Sequence, residues 1–256
     1  MNMLLSNKKI LVAGAGGLIG SRLVSEIILH GGRVVAADID VGAMKSKLSD
    51  VGVDVDSERL TLATMDITCE DSVKTLFFNF DDIDGAVNST YPRNKKYGSH
   101  FFDVSLTDFN ENVSLHLGSA FLFMQQCATY FKNNGRDFSL VNISSIYGVV
   151  APKFDIYNNT KMTMPVEYAA IKSAIQHLGK YTVVYVNDSR FRINSVSPGG
   201  IFDNQPENFC QAYKRQTHGT GMLDVSEIMG SIIFLLSDQS RYVTGQNIVV
   251  DDGFTL

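Results

Sequence analysis

The chain has 256 residues, 45% of them hydrophobic, and a net charge of −5 from 22 basic and 27 acidic side chains. That length suits one α/β domain, residues 1-256, with a sizeable buried core, and an acidic balance without a basic run gives nucleic-acid binding no electrostatic support. Three scattered cysteines, Cys69, Cys127 and Cys210, argue against a disulfide framework or a thiolate metal site; with no signal-peptide pattern and no apolar run of about 18 residues, a soluble cytoplasmic protein away from the membrane is expected.

Lys9 to Ala13 is a short apolar run that meets Gly14-Ala15-Gly16-Gly17-Leu18-Ile19-Gly20, and a helical pattern follows through Leu23, Ile27 and Leu29. Strand, glycine turn and helix in that order are the setting of a phosphate-binding turn. Glycine permits the turn and a close backbone approach, and the free N–H groups at a helix start favour a pyrophosphate. The second strand, Arg33 to Ala37, ends at Asp38, 18 residues beyond Gly20. A carboxylate there can hydrogen-bond the adenosine ribose hydroxyls and repel a 2′-phosphate, which favours NAD over NADP. The competing reading is that Asp38 or Asp40 caps a helix beginning near Val41.

Leu60 to Ala63 reads as the third strand, followed by Met65-Asp66-Ile67, where Asp66 or Thr68 can cap a helix over Ser72 to Phe78. Ile83 to Val87 is the fourth strand, and a long amphipathic helix runs from Phe109 towards Asn133. Phe138 to Ile143, the fifth strand, delivers Ser144-Ser145 at its carboxyl end, where open α/β sheets place their sites. Tyr168 and Lys172 are four apart, so on a helix both reach one side. A phenol titrates near about 10, and a cation beside it favours the phenolate; such a tyrosine can trade a proton with a carbinol or carbonyl. A serine hydroxyl alongside steadies charge on the substrate oxygen. Arg192 to Val196 is the sixth strand, leading into Pro198-Gly199-Gly200, and Asp224 to Leu236 is a helix.

The glycine turn, the Ser144-Ser145 strand end and Tyr168-Ala169-Ala170-Ile171-Lys172 together resemble the short-chain dehydrogenase/reductase family. The resemblance runs from Lys9 to Leu256. It implies a Rossmann-type, doubly wound, mostly parallel seven-stranded sheet with helices on both faces. It also implies interconversion of a secondary alcohol and a ketone with NAD, preferred over NADP because of Asp38. In that scheme Tyr168 is the general acid/base, Lys172 also binds the nicotinamide ribose, and Ser145, the second of its pair, positions the substrate oxygen. Gly14, Gly16, Gly17, Leu18, Ile19 and Gly20 form the cofactor turn, and no metal is expected. Asp66 and Ile67 fall where family members contact the adenine. Asn88 opens a turn, Asn88-Ser89-Thr90-Tyr91, that matches the family's Asn-Asn-Ala-Gly only in part. Pro198 and Gly199 lie in the turn that passes under the nicotinamide; Ile201-Phe202-Asp203 lacks the usual Thr, so only the Ile201 backbone is carried over. His116 stands where the family has an Asn that holds a relay water, with Asn112 one turn earlier; His116 can replace it, contact substrate or fill space.

The interval from Ser145 to Tyr168 is 23 residues, roughly ten longer than in plain family members, so 151-165 is expected to be a polar insertion over the site, carrying Tyr157, Asn158, Asn159, Thr160, Lys161 and Thr163. Phe202 to Thr220 is expected to be a mobile substrate loop. Ser-Ser-Ile-Tyr-Gly at 144-148, Pro165-Val166-Glu167-Tyr168 and the Gly14, Gly17, Gly20 spacing also resemble members that act on nucleotide sugars. With Ser114-Leu115-His116-Leu117-Gly118 they resemble the flagellin-modification type of bacterial oxidoreductase, associated with nonulosonic sugars. The expected substrate is therefore a small polyhydroxylated molecule, a sugar or sugar phosphate of bacterial surface or flagellin glycan synthesis. The alternatives are a 3-oxoacyl thioester reductase and a non-catalytic NAD-binding sensor or scaffold. In the family the helices near 109-133 and 168-186 pair across subunits, which implies a homotetramer or homodimer.

Overall fold

The structure is a computed structural model and describes residues 3-256. Seven strands form one sheet in the order β3-β2-β1-β4-β5-β6-β7, and every neighbouring pair is parallel. The strands are β1 (Lys9–Ala13), β2 (Arg33–Asp38), β3 (Leu60–Thr64), β4 (Gly85–Asn88), β5 (Phe138–Ile143), β6 (Phe191–Pro198) and β7 (Asn247–Val250).

Side chains alternate across a strand, so a continuous apolar run feeds two cores at once. In β1, Ile10 and Val12 enter one core while Leu11 and Ala13 enter the other; in β2, Val34 and Ala36 divide from Val35 and Ala37 in the same way. The first core is closed by α1 (Leu18–Leu29), α2 (Val41–Asp50) and α8 (Met229–Leu236). The second is closed by α3 (Glu70–Phe78), α5 (Ser119–Asn134) and α6 (Val166–Val186). Two short helices, α4 (Leu106–Asn112) and α7 (Glu207–Lys214), complete the set.

Several elements depart from the sequence expectations. Asp40 is the cap of α2, its carboxylate accepting the Ala43 N–H at 2.9 Å, whereas Asp38 is turned elsewhere. Neither Asp66 nor Thr68 caps α3, whose N-cap is Cys69; Asp66 accepts the Thr68 N–H at 2.9 Å and ties the preceding turn. The helix expected from Phe109 begins at Leu106 and is interrupted by a π-helical turn over Val113–Gly118 before α5. The helix expected over Asp224 to Leu236 opens with a tight 3₁₀ turn, Val225–Ile228, fixed by a capping box of Asp224 and Glu227.

The order 3-2-1-4 reverses direction between β1 and β4, and the carboxyl ends of these strands flank the crevice where open sheets bind ligands. Among the described residues no helix is long and apolar enough to cross a membrane, and no His, Cys, Asp and Glu cluster could hold a metal ion.

Candidate active site

The glycine turn has steric reasons at two positions. Gly14 adopts φ +79, a left-handed conformation that favours glycine. Gly20 lies under the same turn, and a Cβ there would stand 2.1 Å from the Gly14 carbonyl oxygen. The first turn of α1 therefore packs directly onto the end of β1, and its N-terminus, capped by no side chain at Gly17, faces the crevice. Asp38 reaches back from β2 and accepts the Gly16 N–H at 2.9 Å, which joins the carboxylate to the turn. Asp66 follows the end of β3, beside Asp38, whose carbonyl accepts the Met65 N–H at 2.9 Å.

Ser144, Ser145, Tyr168 and Lys172 meet where β5 leaves the sheet. The Ser144 hydroxyl donates to the Lys172 carbonyl at 3.0 Å and accepts from Gln176 at 2.9 Å, so it binds α6 to β5. The Ser145 hydroxyl instead accepts the Tyr147 N–H at 3.2 Å and lines the cleft with Tyr168, whose phenol it draws down. Gly148 makes the close approach possible, because a Cβ there would lie 2.7 Å from the Lys172 carbonyl carbon. Lys172 donates to the Ile143 carbonyl at 2.8 Å and its ammonium is 5.5 Å from the Tyr168 ring centroid. Burial raises the Tyr168 phenol above its ordinary value, with Ser145 pulling the other way. Burial also lowers Lys172 to about 7. The simple expectation of a cation drawing the phenol down is thus corrected: desolvation governs both groups.

Around this set stands a cluster that the sequence did not announce. The Tyr91 ring packs edge-on against Tyr168 at 5.5 Å and against His116 at 5.0 Å, and its phenol hydrogen-bonds that of Tyr97. His116 sits in the π-helical turn and is buried; burial, then Lys172 and Arg93, drive its imidazole down to about 2. It is therefore neutral at any working pH. Asn112 is engaged elsewhere, donating to Glu167 at 3.0 Å and accepting the Asn94 N–H at 2.9 Å. A helical glutamate next to Tyr168 was the available signal for this contact; nothing in sequence marked Asn94 as its far end.

One cleft of about 660 Å³ joins these parts. Gly17, Leu18, Ile19, Ser145, Tyr168, Lys172, Pro198, Gly199 and Ile201 line it; Gly14, Gly16, Gly20, Asp38, Asp66, Ile67, Asn88 and His116 do not. Asn88 is buried and accepts from the Thr90 hydroxyl at 2.7 Å, shaping the turn that presents Tyr91. The roof is more apolar than expected. In the 151-165 insertion Ile156 and Tyr157 are buried with Phe209, Tyr213 and Phe254, and Met162, Thr163, Met164 and Pro165 face the cleft, while Asn158, Asn159, Thr160 and Lys161 do not. The 202-220 segment contains α7, and Tyr213 accepts the Gly200 N–H at 2.6 Å beneath the Pro198-Gly199-Gly200 turn.

These residues fit a nicotinamide dinucleotide: a glycine cradle with no room for a Cβ, an uncapped helix start and a carboxylate on the second strand, continuous with a cleft lined by a tyrosine, a serine and a lysine. Fold and cleft together define an NAD(P)-dependent oxidoreductase. A family model described as enoyl-(acyl carrier protein) reductase matches residues 14–255. Flagellin modification protein A of Campylobacter coli is 38% identical over 99% of this chain and 100% of its own. The chain belongs to the short-chain dehydrogenase/reductase family. A 7α-hydroxysteroid dehydrogenase of Bacteroides fragilis is 28% identical, covering 98% of this chain and 95% of that one. Among solved structures, a short-chain dehydrogenase of Leptospira borgpetersenii with bound NAD+ has a TM-score of 0.85 at 33% identity, over 98% of this chain and 94% of that chain.

Proposed function

We propose that this oxidoreductase interconverts a secondary alcohol and a ketone on a polyhydroxylated substrate, a sugar or sugar phosphate of bacterial surface or flagellin glycan synthesis. The observation that carries the chemistry is the convergence of Ser145, Tyr168 and Lys172 in the cleft that reaches the glycine turn. The likeness to flagellin modification protein A supports the glycan setting. Work in the cytoplasm accords with that setting.

When bound, the nicotinamide gives or takes the hydride. Tyr168, held protonated by burial, donates its phenolic proton to the carbonyl oxygen in reduction, and the phenolate left behind is reprotonated from solvent; in oxidation it is that phenolate which takes the proton of the hydroxyl. Ser145 donates to the same oxygen and steadies the charge that grows there. Lys172, anchored to the Ile143 carbonyl, holds its amine near the phenol, where it would also reach the ribose of a bound cofactor. His116, neutral and buried outside the cleft lining, supports the Tyr91 ring that packs on Tyr168 rather than acting as a titrating relay. Asp38 supports NAD over NADP, since its carboxylate at the glycine turn opposes a 2′-phosphate.

The test is Tyr168→Phe. NADH affinity, followed by its fluorescence, is expected to stay within about twofold, and turnover to fall by about 100- to 10,000-fold; undiminished turnover would remove Tyr168 from the chemistry. The same titration with NADPH tests Asp38, equal affinity for both cofactors counting against it. The thioester alternative draws support from the description of the matching family model, and assays of 3-oxoacyl thioesters beside sugars separate the two.

A further inference from the structure

Arg93 lines the same cleft as Ser145, Tyr168 and Lys172. Its guanidinium lies over the Tyr91 ring, 4.8 Å from the centroid, and that ring packs edge-on against Tyr168 at 5.5 Å. The cation therefore stands one aromatic ring from the reacting phenol. Arg22, Arg33, Arg136 and Arg190 have carboxylate partners, whereas Arg93, like Arg59, Arg192, Arg215 and Arg241, is in no ion pair among the described residues; of these five only Arg93 lines the cleft. Its backbone is anchored by the next residue: Asn94 donates its N–H to Asn112 at 2.9 Å and its side-chain amide to Glu111 at 2.7 Å.

An arginine stacked on an aromatic face keeps its fork of donors free for a planar or tetrahedral anion. The pyrophosphate of a dinucleotide is served by the glycine turn and the start of α1, so it does not account for this second cation. Asp203 also lines the cleft, on the segment after β6, and disfavours an anion on that wall. The remaining place for negative charge is the Tyr91 side.

We propose that Arg93 is a specificity residue that binds an anionic substituent of the substrate, a phosphate or a carboxylate, while the reacting hydroxyl or ketone faces Tyr168. The inference rests on the oxidoreductase reading of the cleft and narrows its substrate class. The test is calorimetric titration of NAD+-loaded protein with D-glucose, D-glucose 6-phosphate and D-glucuronate. One of the two anionic sugars is expected to bind at least tenfold more tightly than D-glucose. That advantage should vanish in Arg93→Ala, persist in part in Arg93→Lys, and leave NAD+ affinity alike in all three proteins. Which anion gains the advantage tells phosphate from carboxylate. Three sugars binding alike, or none binding, overturns the inference, as does an advantage retained by Arg93→Ala. An equal loss of NAD+ affinity in Arg93→Ala overturns it too, by assigning the guanidinium to the cofactor. Turnover of neutral sugars without an anion advantage sinks the Arg93 assignment and leaves the sugar reading standing. An anion advantage with no sugar turned over does the reverse.

Discussion

Lys172 is a buried ammonium whose hydrogen bond to the Ile143 carbonyl does not repay its desolvation, which is why its pKa falls from 10.5 to about 7. Below about pH 7 folded and unfolded chains both carry the proton, so the full burial penalty weighs on the fold. Between about 7 and 10.5 the unfolded chain binds more protons, and stability attributable to this residue rises with pH. The Lys172→Met variant has no such dependence. Urea unfolding should therefore show wild type gaining on the variant by on the order of 3 kcal/mol between pH 6 and pH 10. A difference that does not move with pH would show that Lys172 is not desolvated in the folded protein. The same residue shows why the pairing with Tyr168 could be read from a four-residue spacing while its electrostatics could not: spacing gives proximity, but only the packed environment says which charge survives there.

The elements show a similar division. Strands β1, β2 and β5 were legible because a strand buried on both faces reads as an apolar run with few alternatives. Their carboxyl ends carried the glycine turn and Ser144-Ser145 with them. The π-helical turn at Val113–Gly118 was not legible, since Val113, Leu117, Phe121 and Met124 recur at the spacings an unbroken α-helix also produces. The insertion misled in a different way: its polar residues dominate by count, but Ile156 and Tyr157 decide how it packs. Nor could a partial turn motif reveal that Tyr91 turns inward to meet His116 and Tyr168. Lys153 fastens this insertion to the chain end, donating to the Phe254 carbonyl at 2.8 Å and lying 4.5 Å from the Phe254 ring centroid. Lys153→Met keeps much of the apolar stem and removes both contacts. It is expected to lower stability by about 1–2 kcal/mol and to raise KM for the substrate with NADH affinity unchanged. Unchanged stability and KM together would show that the roof is held by the aromatic cluster alone.

Across the whole molecule, the two cores leave one helical face with apolar side chains uncovered. On α6, Tyr181, Val184 and Tyr185 are 63%, 77% and 72% exposed, and on neighbouring α5 Phe121 is 48% exposed. Tyr181 and Tyr185 stack on one another at 6.1 Å, one helical turn apart, so they form a shared surface rather than scattered exposures. The inner side of α6 holds Tyr168 and Lys172 over β5, and a partner on its outer side would stiffen the helix that carries both. We propose a second copy of the chain as the occupant of this face. If so, light scattering should find a dimer or tetramer for the wild type, and Val184→Asp should shift it towards monomer, since a buried unpaired carboxylate costs several kcal/mol at an interface. NADH binding per chain is expected to persist, because the glycine turn leads into α1 on the opposite face of the sheet from α5 and α6 and shares no residue with this surface. An unaltered mass for Val184→Asp would mean that any assembly uses another face, and the exposed tyrosines of α6 would then need a different partner.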